Sequence, residues 1–327
     1  MEFLTPKQKR VLDFINNYSQ KNGYSPSFRE IAKFLGKSLS TAQHFISELQ
    51  NKDFLRKQEK IARALTPQKP TKPIDNFINT VIEGDCLEAM QEIPDKSIDM
   101  ILCDLPYGTT QNKWDSTIPL ELLWKLYERI IKDNGVIALT SQGSFTAKLI
   151  LSNEKLFKYK IVWQKSKPTN FLNAKKQPLR AHEDICIFYK SQPFYFPQMT
   201  NGFPYNKGIR KDQLTGSYGN FRPVEVKSDG ERYPTDVIYF KTAESEGKIY
   251  HPTQKPVALG KYLIQTFTMP GNIVLDNACG SGSFLVAAAE LERKYIGVEI
   301  NKDTLLHKKY PVNYVEICKT RLNSARF

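Results

Sequence analysis

Beyond residue 77, short apolar runs alternate with stretches of helical spacing, and few architectures accommodate that order. Strand-like runs fall at 80–83, 98–103, 136–140, 160–164, 273–275 and 295–298, with helical patterns at 87–91, 120–132, 145–151 and 283–291 between them. The alternation predicts a doubly wound α/β sheet with helices on both faces. Between 190 and 250 the periodicity gives way to a stretch rich in Gly, Tyr, Phe, Pro and charge, which reads as an insertion. At 327 residues the chain exceeds what one core usually serves, so two domains are expected. With 40% hydrophobic residues it has the apolar surface to fold both.

The division falls at 67–76, where Pro67, Pro70 and Pro73 disfavour helix and no apolar period survives. That stretch is read as a linker, with 1–66 as a small N-terminal domain and 77–327 as the larger one, insertion included. Charge is uneven: residues 1–73 hold 14 Lys/Arg against 6 Asp/Glu, so this segment carries +8 of the formal +13. Such a surplus points to a polyanionic partner, nucleic acid ahead of an anionic membrane. There is no run of about 18 apolar residues, and the start MEFLTPKQKR lacks the hydrophobic region of a signal peptide; a soluble, cytoplasmic protein is expected. Five scattered cysteines without a CxxC signal neither a disulfide framework nor a metal site, and no metal is expected.

Three helical patterns fill the N-terminal domain. Thr5 caps one that runs to about Lys21, Ser27 begins a second that stops at Gly36, and Ser40 begins a third; residues 54–65 then read as a two-stranded wing. Two short helices across such a turn form a helix-turn-helix, whose second helix enters the major groove. Its exposed face would be Ser38, Ser40, Thr41, Gln43 and His44. A three-helix protein-interaction module has the same pattern, but the charge and the basic wing favour DNA. The stretches LTPKQKRVLDFI, YSPSFREIAKFLG and STAQHFISELQNKDFL resemble the winged helix-turn-helix of LexA repressors. The resemblance implies DNA contact, and no Ser-Lys protease domain of the LexA type follows.

In the larger domain, Ile273-Val-Leu-Asp-Asn-Ala-Cys-Gly-Ser-Gly-Ser-Phe sets Gly280 and Gly282 between a strand and a helix, in a turn tight enough to need residues without Cβ. A plain strand-to-helix loop would look the same. Glu299, 17 residues past Gly282 at the end of the next strand, adds a carboxylate able to bind both hydroxyls of a ribose, and so points to a nucleoside cofactor. The third glycine of GxGxxG is missing and Asp276 would repel a pyrophosphate, which sets NAD aside. S-adenosylmethionine has an ammonium, a sulfonium and no phosphate, and suits that acid.

The strand at 98–103 ends in Asp104-Leu105-Pro106-Tyr107-Gly108, an acid followed by a rigid turn and an aromatic. An amino group on a purine is a poor nucleophile because its lone pair is delocalised into the ring. If Asp104 and a backbone carbonyl each accept one N–H, the nitrogen moves toward tetrahedral geometry and its lone pair faces the sulfonium methyl. Tyr107 can stack on a base turned out of the helix, a contact worth about 1 to 3 kcal/mol. An aspartate capping an ordinary turn beside a packed tyrosine would read alike.

DLPYGTTQNKWD, then HPTQKPVAL, LDNACGSGSF and GVEIN, in that order, resemble the β class of DNA amino-methyltransferases over about 79–327. The resemblance implies a seven-stranded Rossmann-like methyltransferase sheet, S-adenosylmethionine as cofactor and double-stranded DNA as substrate. It implies Asp104, Pro106 and Tyr107 at the target base, and Asp276, Gly280, Gly282 and Glu299 at the cofactor. It also implies that Asp85 lies near the cofactor's adenine, and Lys255 and Pro256 near its methionine end. Leu105 stands where the family usually has proline, although the acceptor needed there is a backbone carbonyl. Residues 302–312 intervene before the final helix where the family runs on directly. An aspartate at 104, where cytosine-N4 members often have serine, points to adenine N6. The alternatives are cytosine-N4 methylation, an RNA or protein amino-methyltransferase, and a LexA-like regulator with an inactive methyltransferase domain. Motif order counts against the second, and intact Asp104, Tyr107, Gly280 and Gly282 against the third. A second copy of the chain and a companion restriction endonuclease are the further candidate partners.

Between positions 165 and 180 the chain carries Lys165, Lys167, Lys175, Lys176 and Arg180, with no acid and with Pro168 and Pro178 interrupting. It reads as a loop that grips phosphates beside the active site, a solvated loop being the plainer alternative. His182 and Glu183, directly after it, are assigned a structural hydrogen bond. Tyr205, Arg210, Tyr218, Phe221, Arg222 and Arg232 in the insertion are the candidates for target recognition.

Overall fold

The computed structural model describes residues 4–52, 54–57, 63, 65–67, 72–108, 117–209, 224–301, 305–306 and 310–325. The chain divides into two compact units, one of Met1–Asn76 with Gln91–Pro94, the other of Phe77–Met90 with Asp95–Phe327.

In the first unit α1 (Pro6–Asn22), α2 (Phe28–Leu35) and α3 (Leu39–Asn51) precede an antiparallel ribbon of β1 (Leu55–Lys57) and β2 (Leu65–Pro67). The Thr5 and Ser27 hydroxyls each accept the N–H three residues on, while Gln8 and Glu30 reach back to the cap N–H groups. These reciprocal bonds satisfy donors that a helix start leaves orphaned. α3 begins ahead of the expected Ser40: Ser38 is its N-cap and accepts the Thr41 N–H at 3.3 Å. One stripe from each helix, including Val11, Ile15, Ile31, Ala42, Ile46 and Leu49, meets Leu55 and Leu65 of the ribbon in a single core.

Along the rest of the chain run β3 (Thr80–Glu83), α4 (Cys86–Glu92), β4 (Ile98–Cys103), α5 (Leu120–Ile130), β5 (Ile131–Ser141), α6 (Ser144–Ser152), β6 (Phe157–Thr169) and β7 (Arg180–Phe188). The insertion holds β8 (Thr200–Asn201), β9 (Tyr205–Ile209), β10 (Glu225–Ser228), β11 (Glu231–Arg232) and β12 (Val237–Phe240). Then come α7 (Val257–Phe267), β13 (Ile273–Asp276), α8 (Ser283–Glu290), β14 (Lys294–Glu299), the short strands β15 (Leu305–Leu306) and β16 (Tyr310–Pro311), and α9 (Tyr314–Ala325).

Among the described residues the main sheet has eight strands, ordered β12-β6-β7-β5-β4-β13-β14-β3. From β3 to β5 the neighbours run parallel, β7 lies antiparallel between β5 and β6, and β12 adds a parallel edge to β6. The sheet thus has one strand more than the expected seven, and the extra one, β12, lies within the insertion. β8 pairs with β11 and β9 with β10 outside this sheet. Arg210, Tyr218, Phe221 and Arg222, and most of the 302–312 segment, lie outside the described residues.

Every residue of β13, and all of β4 but Asp99, is buried, as strands covered on both faces must be. The chain moves from β4 to β5 in one direction and from β13 to β14 in the other, so the topological switch lies between β4 and β13. These two strands pair through Val274 with Met100 and Leu275 with Ile101. Their carboxyl ends are where a sheet of this kind binds ligands. After β13, Gly282 has φ +82°, and a Cβ there would overlap the Cys318 sulfur of α9, so glycine lets α8 and α9 close over the sheet. No helix among the described residues is long and apolar enough to cross a membrane.

Candidate active site

A cavity of about 640 Å³ lies at the switch point. Asp104, Pro106 and Tyr107 enter its wall from the turn after β4, Asp276 and Gly280 from the turn after β13, and Glu299 from the end of β14. Asp85, after β3, and Lys255, ahead of α7, complete the group. The acid-proline-tyrosine turn and the glycine turn therefore share one chamber.

Both oxygens of Asp104 are engaged. Tyr107 donates its hydroxyl to Oδ1 at 2.9 Å, Thr140 of β5 donates to the same oxygen, and Lys255 Nζ lies 2.6 Å from Oδ2. Lys255 also lies 3.3 Å from Glu183 Oε2, and Lys165 Nζ stands 3.2 Å from Glu183 Oε1. Burial works to neutralise Lys255, but Asp104 and Glu183 outweigh it and hold the ammonium above the ordinary lysine range. Tyr107 stacks on Phe145 with ring centroids 5.0 Å apart, and the Lys255 ammonium lies over its ring, 5.8 Å from the centroid. Desolvation and the Asp104 charge raise its phenol well above the usual value, so it stays a donor.

Asp276, on the adjacent strand, has opposite surroundings. It is buried, accepts the Ala278 N–H at 3.3 Å, and no cation among the described residues lies against it. Burial pushes its carboxyl up to about 7. Glu299 accepts the Gly280 N–H at 2.8 Å on Oε2 and the Asn301 N–H at 3.1 Å on Oε1, and burial raises it as well. Gly280 holds φ at +50°, a conformation side chains rarely adopt, and faces the His251 ring. Nδ1 of His251 accepts the Thr253 N–H at 3.2 Å; burial pushes its pKa down to about 4, so the ring is neutral at pH 7.

Several expected residues stand elsewhere. Gly282 packs on Cys318, and Pro256 is buried as the N-cap of α7, whose first N–H groups Glu246 accepts; neither is part of the cavity wall. Lys255, expected at the cofactor's methionine end, lines the cavity and reaches Asp104. Lys165 is the main correction: at 6% exposure it is turned inward onto Glu183 and cannot meet a phosphate. Lys167, Lys175, Lys176 and Arg180 are exposed, as are Ser40, Gln43 and His44, while Thr41 is half-buried and the Ser38 hydroxyl is engaged in the α3 cap. Thr140 and Phe145 were not singled out in the sequence, and Glu183 was given only a structural bond. Strand alternation marks which way Thr140 and Glu183 face without naming the partner they meet.

Residues 98–307 match the profile of the DNA methylase family. The chain belongs to that family. Residues 1–64 of the methylase match the LexA DNA binding domain. The methylase is 30% identical over 255 residues to the DNA adenine methyltransferase YhdJ of Escherichia coli (strain K12), covering 72% of this chain and 82% of that one. Over 287 residues it is 25% identical to the Type II methyltransferase M.HinfI of Haemophilus influenzae, covering 77% and 70%. The crystal structure of the M1.HpyAVI–SAM complex shares the fold, with a TM-score of 0.51 at 23% identity over 75% of the methylase and 98% of that chain.

The cavity fits S-adenosylmethionine, the cofactor of methylases. Asp276 is a buried acid without a counter-charge, which suits a cationic ligand. Each Glu299 oxygen accepts one backbone N–H and keeps acceptor capacity for a ribose diol. The volume lies within the usual range of small-molecule sites.

Proposed function

We propose that the methylase transfers a methyl group from S-adenosylmethionine to N6 of an adenine turned out of duplex DNA. The observation that carries this reading is the convergence on Asp104. A carboxylate offers about four acceptor positions. Tyr107, Thr140 and Lys255 fill three of them, which leaves one for an amino N–H. The Leu105 carbonyl takes the second N–H, and the Tyr107 ring, which lines the cavity, packs against the base. Held at Asp276 and Glu299, S-adenosylmethionine supplies an electrophilic methyl group on a sulfonium. Asp104 orients the amino nitrogen toward that methyl and is the first acceptor for the proton the nitrogen must lose. Lys255, itself paired with Glu183, fixes Asp104, so little reorganisation accompanies reaction.

In this reading residues 1–66 form a winged helix-turn-helix, 67–76 a tether and 77–327 the methyltransferase domain. Ser40, Thr41, Gln43 and His44 meet a major groove, while Lys167, Lys175, Lys176 and Arg180 meet phosphates near the cavity. The tethered domain raises affinity or directs the enzyme to a second site. The setting is the cytoplasm, with a second copy of the chain or a companion restriction endonuclease as further partners.

The test is incubation with methyl-labelled S-adenosylmethionine and separate DNA, RNA and protein substrates, followed by digestion to nucleosides. Label is expected on N6-methyladenine from DNA. Label on N4-methylcytosine, or in RNA alone, overturns the reading. Single-molecule sequencing of DNA from cells expressing the protein then maps the site.

A further inference from the structure

The segment between β6 and β7 carries two apolar side chains with almost nothing over them. Phe171 and Leu172 are 74% and 85% exposed, in a short 3-10 turn (Phe171–Asn173) that follows Asn170 at φ +71°. Single exposed apolar residues are ordinary. What distinguishes this pair is its position and its company. Thr169 and Asn170, directly before it, and Arg180, where β7 starts, belong to the wall of the cavity that holds Asp104. Lys167, Lys175, Lys176 and Arg180 flank it, all exposed, and no acid occurs from 165 to 180. Its base is fixed, because Thr169 pairs with Arg180 across the strands and Lys165 is held by the same Glu183 that meets Lys255.

We propose that Phe171 and Leu172 enter the duplex as a wedge, filling the gap left in the base stack when the target base swings into the cavity. This rests on the base-extrusion reading above. An extruded base leaves an apolar slot between the neighbouring pairs, which apolar side chains fill better than water does. The four cations complement the phosphates on either side of such a slot. The turn stands beside the chamber the base must enter. An apolar protein partner would use the same two side chains, but would not account for the cationic flanks or for their place at the cavity wall.

Single-turnover methylation by the full-length protein and by its Phe171→Ala/Leu172→Ala variant tests this, on duplexes carrying the mapped site with the target base either paired or mismatched. A mismatched base is easier to extrude, so a wedge matters less there. The variant should lose about tenfold or more on the paired duplex and about threefold or less on the mismatched one. Its affinity for S-adenosylmethionine, measured by calorimetry, should be unchanged, since both side chains lie outside the cavity wall. Equal losses on both duplexes, or no loss on either, overturn the wedge. Lys175→Gln/Lys176→Gln is the contrasting variant and should weaken both duplexes alike. Methyl label on cytosine N4 would sink the adenine reading while leaving the paired-to-mismatched ratio a valid measure of the wedge.

Discussion

The aspartates that follow β4 and end β13 stand on neighbouring strands, yet they differ in nearly everything that sets an acid's chemistry. Asp104 is bound by a lysine and two hydroxyls. Asp276 is buried without a cation, and its carboxyl is pushed up to about 7. One side of the chamber is therefore electrostatically complete and asks only for a neutral hydrogen-bond donor, which an aromatic amine supplies. The other side lacks a positive charge, which a ligand must bring.

If the two acids divide the work in this way, substitutions should separate rate from affinity. Asp104→Ala is expected to slow single-turnover methyl transfer by about 10³-fold or more, since it removes the group that orients the amine. Cofactor affinity by calorimetry should hardly change. Lys255 keeps Glu183 as a partner, so the fold should survive, with a lower melting temperature. A comparable loss of affinity would break the division.

Asp276→Asn should do the reverse, weakening S-adenosylmethionine by about tenfold or more, the equivalent of a charge-assisted contact of about 1.5 to 3 kcal/mol. The pH dependence follows from the raised carboxyl. A cationic ligand selects the ionised form, so binding releases a proton. Affinity should be full above about pH 7 and decline, by at most about tenfold per pH unit, as the pH falls below it. The asparagine variant should show no such slope between pH 6 and 8, where His251 stays neutral. A slope that persists would assign the proton to another group, Glu299 being the nearest candidate because burial raises it too.

The two glycines after β13 sharpen the contrast at smaller amplitude. Gly282→Ala forces a methyl onto Cys318 at a positive φ and should destabilise the fold by about 1 to 3 kcal/mol, seen as a lower melting temperature. Gly280→Ala has more room and should chiefly weaken the cofactor. Smallest of all, Lys175→Gln should reduce the slope of log affinity against log salt by about 1, whereas Lys165→Gln should leave that slope unchanged, since its ammonium faces Glu183.

Both turns could be read in the sequence because each follows an apolar run and its chemistry is contiguous: acid, proline and tyrosine in one, two glycines in the other. What converges from distant strands could not. Thr140 of β5 and Glu183 of β7 reach the Asp104 cluster through sheet pairing, which no local pattern records. Lys165 and Lys167 look alike in the chain, and it is Glu183 on the paired strand that draws one of them inward. The run Val237–Phe240 has strand composition, but it sits in an insertion without flanking periodicity, and only its pairing with β6 makes it the eighth strand. At α3 two serines compete to cap the helix, and the choice of Ser38 over Ser40 shifts the start without changing which residues face the core.

A crystal structure of the full chain bound to its duplex and to a non-transferring amine analogue of S-adenosylmethionine would test the shared chamber directly. The expected result has the adenine N6 within about 3.2 Å of an Asp104 oxygen and a cationic nitrogen of the analogue within about 4 Å of Asp276. A target base lying outside the chamber, or an analogue whose charged end points away from Asp276, would contradict it.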